Sequence, residues 1–221
     1  MIINMKNIQP SAIIFDLDGV IVHTDMYHYQ AWKQLADRLN IHFDEQINNR
    51  LRGVSRMESL DIVLENSEYA ALSSTEKEAL AMEKNETYKT LLQAMTPADV
   101  TAEVNETLSK LKEMNYRMAI GSSSRNAGLI LEKIGLADFF DAVADGNHIT
   151  HSKPHPEVFL KAAAYLGISP AECVVVEDAD AGVEAAHRAG MPAIAIGDAV
   201  FHGNGDINAG SFREILAVFT A

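Results

Sequence analysis

The apolar positions of the chain fall into short runs rich in β-branched residues and into longer stretches with helical spacing. Five short apolar runs predict buried strands, because each is too short for a helix and lacks the alternation of a half-exposed strand. They are residues 12–16, 117–122, 142–145, 173–178 and 192–196. Helical patterns lie between the later runs, at residues 103–114, 127–134, 157–166 and 181–189. Strands that alternate with helices predict an α/β fold, with a Rossmann-like, doubly wound parallel sheet.

Strand patterns are missing between the first two predicted strands, where helical spacing takes over. Tyr29, Trp32 and Leu35 fall on one helical face, and the segment from Ser73 to Glu76 is a plausible start for a long helix through Leu92. We therefore predict an α/β core of residues 1–24 and 96–221, with an inserted α-helical cap of residues 25–95.

Composition and charge narrow the choice of partners. Hydrophobic residues make up 48% of the 221 residues and charged residues 22%, which is typical of a folded globular protein. The net charge of −13 argues against nucleic acid and anionic membranes, because both bind basic surfaces. Neither a signal peptide nor an apolar run of transmembrane length is evident, and the single Cys173 excludes an intrachain disulfide. We expect a cytoplasmic protein that binds neither nucleic acid nor membranes.

Two pairs of carboxylates stand at the ends of predicted strands. Asp16 and Asp18 are two residues apart, so their side chains share one face of a continuing strand, and Glu177 and Asp178 end a buried run. Carboxylates at the ends of buried strands repel one another unless a cation lies between them, and Mg²⁺ prefers oxygen ligands. The pattern predicts a magnesium site. The alternatives are a solvated Asp-Gly turn for the first pair and a helix cap for the second.

Two further polar segments follow predicted strands and suit an anionic ligand. Residues 121–126, Gly-Ser-Ser-Ser-Arg-Asn, offer hydroxyls, backbone N–H groups and a helix N-terminus, all of which bind phosphate. Lys153 lies in Ser-Lys-Pro-His-Pro, where two prolines stiffen the backbone and a projecting lysine can neutralise phosphate. Ligands of open parallel sheets bind at the carboxyl ends of the strands. The alternatives are an ordinary helix cap and an exposed surface lysine.

The order of these motifs resembles the haloacid dehalogenase superfamily of phosphotransferases. The resemblance covers nearly the whole chain, and its motifs are Asp16-x-Asp18-Gly-Val, Ser122, Lys153-Pro154 and Glu177-Asp178. Within the superfamily, the predicted cap is similar to that of the β-phosphoglucomutases, through His28 with Trp32 and through Gly53-Val-Ser-Arg56. The resemblance implies a haloacid-dehalogenase-like fold with a helical cap.

The resemblance also implies roles for the four carboxylates. Asp16 is expected to be the nucleophile that becomes a phosphoaspartate. Asp18 is expected to be the general acid/base, with its backbone carbonyl on the metal. Glu177 and Asp178 are expected to complete a site for one Mg²⁺ per chain.

The remaining matched residues are expected to bind substrate. Ser122 and Lys153 hold the transferring phosphoryl group, and the other phosphate is gripped by Arg56, Ser124, Arg125 and Asn126, with Ser123 in the same loop. Cap closure is expected to be linked to alignment of Asp18 through Thr24, His28 and Lys84. Trp32 and Gly53 belong to the cap motifs. If the resemblance is set aside, the sequence favours ordinary structural roles for three of these residues. Arg56 is then expected to be a solvated helix residue, Trp32 a residue of the cap core, and His28 an interface histidine with its hydrogen bonds satisfied.

The resemblance favours a mutase that interconverts β-D-glucose 1-phosphate and D-glucose 6-phosphate, with β-D-glucose 1,6-bisphosphate as intermediate and activator. A Mg²⁺-dependent sugar-phosphate phosphatase is the alternative, because it uses the same carboxylates and passes the phosphoryl group to water. A non-catalytic sugar-phosphate sensor is disfavoured, because every expected catalytic carboxylate is present. We expect a monomer that binds small-molecule sugar phosphates, because the predicted site is made within one chain.

Overall fold

The apolar runs form one parallel sheet of six strands. In the computed structural model, which describes residues 10–51 and 54–220, the strands are β1 (Ala12–Phe15), β2 (Arg117–Gly121), β3 (Ala142–Ala144), β4 (Cys173–Glu177), β5 (Ala193–Ala195) and β6 (Ile207–Asn208). Their order is β3-β2-β1-β4-β5-β6, and every neighbouring pair is parallel. This is the strand order of a doubly wound sheet, so the predicted fold class is confirmed.

Burial on both faces explains why the strands are almost continuously apolar. Ile14 of β1 packs in one cluster with Phe159, and the next residue, Phe15, stacks on the other face against Phe212 with ring centroids 6.0 Å apart. All five predicted strands are present, and the polar residue predicted at the end of four of them lies just beyond the strand. The two-residue β6 at the sheet edge is too short to leave a pattern in the sequence.

The chain separates into two compact units. The sheet unit consists of the described residues up to His23 and from Thr96 onward, and the helical unit is Thr24–Met95. The helices of the sheet unit are α5 (Ala102–Glu113), α6 (Ala127–Lys133), α7 (Glu157–Leu166), α8 (Asp180–Arg188), α9 (Ala199–His202) and α10 (Phe212–Thr220). Short 3₁₀ turns lie at Pro97–Asp99 and Pro170–Glu172.

The helical unit has its own apolar core. Its helices are α1 (Asp25–Arg38), α2 (Glu45–Asn49), α3 (Arg56–Leu64) and α4 (Ser74–Leu92), with a 3₁₀ turn at Glu68–Ala71. The helical face predicted on α1 meets α3 in one buried cluster that includes Trp32, Leu35 and Leu60. Ser73 and Glu76 form a capping box at the start of α4, where the sequence predicts a helix start. None of the helices in the described ranges is long and apolar enough to cross a membrane.

Candidate active site

Three of the predicted carboxylates come together at the carboxyl ends of β1 and β4. These strands are neighbours where the strand order reverses, which is where doubly wound sheets bind ligands. The backbone N–H of Asp16 donates to the carbonyl oxygen of Val176 at 2.9 Å, so Asp16 lies beside Glu177. Asp16, Glu177 and Asp178 each offer a carboxylate oxygen, and these three oxygens lie within 4.8 Å of one another.

Lys153 brings a buried positive charge to these carboxylates. Its Nζ contacts Asp16 Oδ1 and lies 3.3 Å from Glu177 Oε1, and the side chain is only 10% exposed. The ammonium also lies 4.7 Å from the ring centroid of Phe159. Burial lowers the pKa of Lys153, but the charges of Asp16 and Glu177 outweigh burial and raise the pKa above its ordinary value. Lys153 therefore carries its positive charge at neutral pH.

The site contains three carboxyl groups but, among the described residues, only one positive charge, that of Lys153. Burial raises the pKa of Glu177 well above its ordinary value, although Lys153 opposes this shift. Burial and the charge of Asp16 together raise the pKa of Asp178 to about 7. A carboxyl group with a raised pKa resists ionisation, and a further cation is the usual remedy in such a cluster.

The residues present fit Mg²⁺. Glu177 Oε2 is buried and has no hydrogen-bond partner in the described part of the chain, so one oxygen is available to a ligand. All donors in the cluster are carboxylate oxygens, the ligand type that Mg²⁺ prefers. The Asp18 carboxylate is not part of this cluster of described residues.

The turn after β1 differs from a solvated Asp-Gly turn. Asp16 is only 6% exposed, so the first carboxylate is buried. Gly19 has a positive φ of 88°, and its N–H donates to the Val22 carbonyl oxygen at 2.8 Å, while Asp18 pairs with Val22 in an isolated bridge. A Cβ atom on Gly19 would lie 2.0 Å from Asp178 Oδ2, so only glycine allows the turn to approach the carboxylates.

The Ser-rich segment forms a loop between β2 and α6. Ser122 is buried, and its Oγ accepts the N–H of Ser124 at 3.1 Å, while Ser124 Oγ accepts the N–H of Asn126 at 3.2 Å. Asn126 is the N-cap of α6 but makes no capping hydrogen bond through its side chain. Ser123 Oγ is buried without a hydrogen-bond partner among the described residues. Arg125 is exposed. The Ser123 hydroxyl is therefore available to a ligand.

Three residues that support the site were missed by motif reasoning. A Cβ atom on Gly182 of α8 would lie 1.6 Å from Glu177 Oε1, so the carboxylate packs directly on this helix. A Cβ atom on Gly146 would lie 2.4 Å from the carbonyl oxygen of Ser123, and Asn147 Nδ2 donates to the carbonyl oxygen of Arg125 at 2.9 Å. Only tertiary contacts give these residues a role, and the pattern along the chain contains no signal for them.

His28 and Lys84 meet inside the helical unit. Lys84 Nζ lies 2.8 Å from His28 Nδ1, and the rings of His28 and Tyr88 stack at 4.0 Å. Because an ammonium group only donates, Nδ1 must accept, and the imidazole is neutral with its proton on Nε2. Burial lowers the pKa of His28 well below its ordinary value, and the charges of Lys84 and Arg56 lower it further.

The other predicted residues of the helical unit have varied surroundings. Trp32 is 3% exposed, so it is a core residue of the helical unit. Lys84 Nζ lies 4.7 Å from its ring centroid. Thr24 is buried at the start of α1, and Arg56 begins α3 directly after the Ser55 cap. Gly53 lies outside the described residues.

A model of the haloacid dehalogenase-like hydrolase family matches residues 10–190. This match covers most of the chain. The chain belongs to the haloacid dehalogenase-like hydrolase family. The resemblance predicted from the motifs is therefore confirmed, and the carboxylate cluster described above lies within the matched region.

Relatives within the haloacid dehalogenase-like family include enzymes of two kinds. The chain is 42% identical to a β-phosphoglucomutase of Bacillus subtilis over 84% of this chain and 83% of the relative. It is 33% identical to a fructose-1-phosphate phosphatase of Escherichia coli over 83% of this chain and 95% of the relative. A crystal structure of a β-phosphoglucomutase from Clostridium difficile superposes with a TM-score of 0.86 at 37% identity, covering 96% of this chain and 97% of that one.

Proposed function

We propose that the protein is a β-phosphoglucomutase, which interconverts β-D-glucose 1-phosphate and D-glucose 6-phosphate through β-D-glucose 1,6-bisphosphate. The observation that carries the choice of a mutase is the higher identity to the mutase of Bacillus subtilis than to the phosphatase of Escherichia coli. The contact between Asp16 and Lys153 supports the phosphoryl-transfer chemistry that both reactions share.

In the proposed reaction, Asp16 is the nucleophile. One oxygen of its carboxylate attacks phosphorus, the bond between phosphorus and the sugar oxygen breaks, and Asp16 carries the phosphoryl group as an acyl phosphate. The ammonium of Lys153 lies against Asp16 Oδ1, so a positive charge is already in place beside the attacking carboxylate. Fixed positive charge supplies much of the catalysis of phosphoryl transfer, because it needs no rearrangement during the reaction.

Asp18 is the proposed general acid/base. It protonates the departing sugar oxygen when Asp16 accepts a phosphoryl group, and it takes the proton of the C6 hydroxyl when the group returns to sugar. Asp18 lies two residues beyond the nucleophile. The adjacent turn is closed by the hydrogen bond from the Gly19 N–H to the Val22 carbonyl oxygen, which fixes the backbone at Asp18. Acid/base assistance of this kind contributes about 10²- to 10⁴-fold in rate.

The cluster of Asp16, Glu177 and Asp178, with the backbone carbonyl of Asp18, is the proposed site of one Mg²⁺. When bound, Mg²⁺ neutralises charge on the phosphoryl oxygens. We assign phosphate binding to Ser122, Lys153 and the loop through Asn126, where the buried Ser123 hydroxyl supports the assignment. The roles expected for Thr24, His28, Trp32, Arg56 and Lys84 remain part of the proposal.

A coupled assay tests the proposal. Purified protein is incubated with Mg²⁺, β-D-glucose 1-phosphate and a trace of the 1,6-bisphosphate, and glucose 6-phosphate and free phosphate are measured together. We expect glucose 6-phosphate to form with little free phosphate. Asp16→Asn should lower the rate by at least about 10³-fold, because it removes the nucleophile.

The alternative reaction gives a different product ratio. A phosphatase specific for a small sugar phosphate remains the second candidate, since the Escherichia coli relative of that kind is covered over nearly its whole length. Free phosphate as the main product, lost in Asp16→Asn, would identify a phosphatase and overturn the mutase proposal. Activity of either kind that survives in Asp16→Asn would overturn the assignment of the nucleophile.

A further inference from the structure

A second group of possible metal ligands lies on the loop that carries Lys153. His151, His155 and Glu157 each offer one ligand atom, and these atoms lie within 4.8 Å of one another. His151 and His155 are exposed, and Glu157 is the first residue of α7. This group contains two imidazoles and one carboxylate, whereas the cluster beside Lys153 contains carboxylates alone.

The distances suit a transition metal. His151 Nδ1 lies 3.3 Å from Glu157 Oε2. Two ligands bound to zinc at about 2.0–2.2 Å in a tetrahedral arrangement are about 3.4 Å apart, so this pair already has the required spacing. The ring centroids of His151 and His155 are 4.6 Å apart, which brings the second imidazole to the same place.

The carboxylate is oriented before any ion binds. The backbone N–H groups of Thr150 and His151 donate to Glu157 Oε2 at 3.1 and 3.0 Å. Hydrogen bonds of this kind commonly hold metal-binding carboxylates in position. The other oxygen, Glu157 Oε1, lies 3.7 Å from Lys161 Nζ, a partly exposed pair that an entering ion can displace.

An ordinary ion pair between His151 and Glu157 does not account for His155. The His155 side chain makes no hydrogen bond or ion pair with the described residues, and its ring packs against the ring of His151. Its backbone N–H donates to the Ser152 carbonyl oxygen at 3.0 Å, and the Pro154 carbonyl oxygen accepts from Arg188 at 3.3 Å, so the loop that presents the ring is anchored.

We propose that His151, His155 and Glu157 form a binding site for Zn²⁺, separate from the Mg²⁺ site proposed above. Imidazole nitrogen with carboxylate oxygen is a zinc ligand set, and three protein ligands leave a fourth position for water. Two of the ligands, His151 and His155, lie two residues before and after Lys153. A bound ion therefore ties together the backbone on both sides of this lysine.

Zinc titration in an excess of Mg²⁺ tests the site. The excess of Mg²⁺ fills the carboxylate cluster but not a site built from imidazoles, because Mg²⁺ strongly prefers oxygen ligands. The full chain, freed of any polyhistidine tag, is titrated with Zn²⁺ by calorimetry. We expect one Zn²⁺ per chain and a rise in Tm of roughly 5 °C at zinc about 100 times Kd.

Variants of exposed histidines separate this site from general surface binding. His155→Gln and the pair His151→Gln with His155→Gln should weaken zinc binding by at least about tenfold, because each removes a direct ligand. His42→Gln is the matched control, since His42 is an exposed histidine in the helical unit beside the single carboxylate of Asp44. It should bind zinc as the wild type does.

Co²⁺ gives a second readout that does not depend on stability. A four-coordinate cobalt site with nitrogen ligands has a visible absorption band, and we expect it in the wild type and in His42→Gln but not in the double variant. Zinc binding that disappears in excess Mg²⁺, or that the double variant retains at wild-type affinity, would overturn the proposal. A double variant with wild-type Tm in the absence of zinc excludes misfolding as the cause of a loss.

Discussion

At the scale of single residues, the site depends on one buried ammonium group among three carboxylates. Lys153 contacts Asp16 and lies near Glu177, and all three side chains are at most 10% exposed. Removing one partner of such a group leaves an uncompensated buried charge, which costs more than the loss of an exposed ion pair. The consequences of substitution at Lys153 should therefore exceed those at any surface lysine.

Lys153→Met should lower the rate of phosphoryl transfer by about 10²- to 10³-fold, because it removes a fixed positive charge beside the nucleophile. Initial rates under saturating Mg²⁺ measure this loss. Lys110→Met, an exposed lysine of α5, is the control and should retain wild-type activity. Equal activities of the two variants would contradict the role of Lys153.

At the scale of elements, close approach between a helix and a strand end shapes the carboxylate cluster. Glycine is ordinarily a poor helix residue, about 1 kcal/mol worse than alanine. Gly182 in α8 is nevertheless required, because any Cβ atom there would overlap the Glu177 carboxylate at the end of β4. Contact between two helices also sets the protonation of a side chain. Where α4 meets α1, Lys84 donates a hydrogen bond to a neutral His28.

Gly182→Ala should weaken Mg²⁺ binding and activity, because the new Cβ atom displaces the Glu177 carboxylate. Gly128→Ala in α6 is the matched control, since a Cβ atom there meets nothing within 4 Å. The control should stabilise the protein by about 0.5–1 kcal/mol through helix propensity. Calorimetric Mg²⁺ titration and urea denaturation measure both effects. A stabilised Gly182→Ala with normal Mg²⁺ affinity would show that the carboxylate is not constrained by α8.

Lys84→Met should raise the pKa of His28 toward its ordinary value, because it removes a neighbouring positive charge while burial persists. NMR titration of the imidazole protons measures the change. Because His28 stays neutral in the folded protein, this group contributes a loss of stability as pH falls below about 6.5, where the unfolded state binds a proton. Lys89→Met on the same helix removes an exposed charge and should leave the pKa of His28 unchanged.

At the scale of the whole molecule, the excess of acidic residues matters most at the carboxylate cluster. The net charge of −13 argues against binding to polyanions, and the sheet unit concentrates a lysine and three carboxylates at the carboxyl ends of its strands. Burial and mutual repulsion raise the pKa values of Glu177 and Asp178, so the metal-free protein holds protons there that the unfolded chain releases. Proton binding and metal binding at this edge are therefore linked.

Asp178 should contribute a loss of stability to the metal-free protein as pH rises from about 4 to about 7, opposite in sign to the contribution of His28. In this range the folded state retains a proton on Asp178, whose pKa is about 7, while the unfolded state has lost it. Mg²⁺ replaces that proton, so its affinity should rise at least about tenfold per pH unit up to about pH 7 and then level off.

Denaturation and calorimetry at several pH values measure both trends. Asp178→Asn removes the titrating group, so the pH slope of metal-free stability should change by the contribution of one proton, and the residual Mg²⁺ binding should depend less steeply on pH. Slopes equal to those of the wild type would assign the titration to another group.

The sequence by itself determined the strands of the sheet and the polar residues that follow them along the chain. Fully apolar runs predicted the buried strands because both faces of a parallel sheet are covered, and a polar residue marked the end of the first four runs. The positions of Asp16 and Glu177 followed from those strand ends. The edge strand β6 left no pattern, since two residues are too few to show periodicity.

The tertiary structure alone decided which polar groups meet. Asp16 and Glu177 are 161 residues apart in sequence, and they become neighbours only because β1 pairs with β4. The need for glycine at positions 146 and 182, and the meeting of His151 and His155 with Glu157, depend on approaches of a few ångströms between segments. Such distances follow from packing in three dimensions, which periodicity along a chain does not encode.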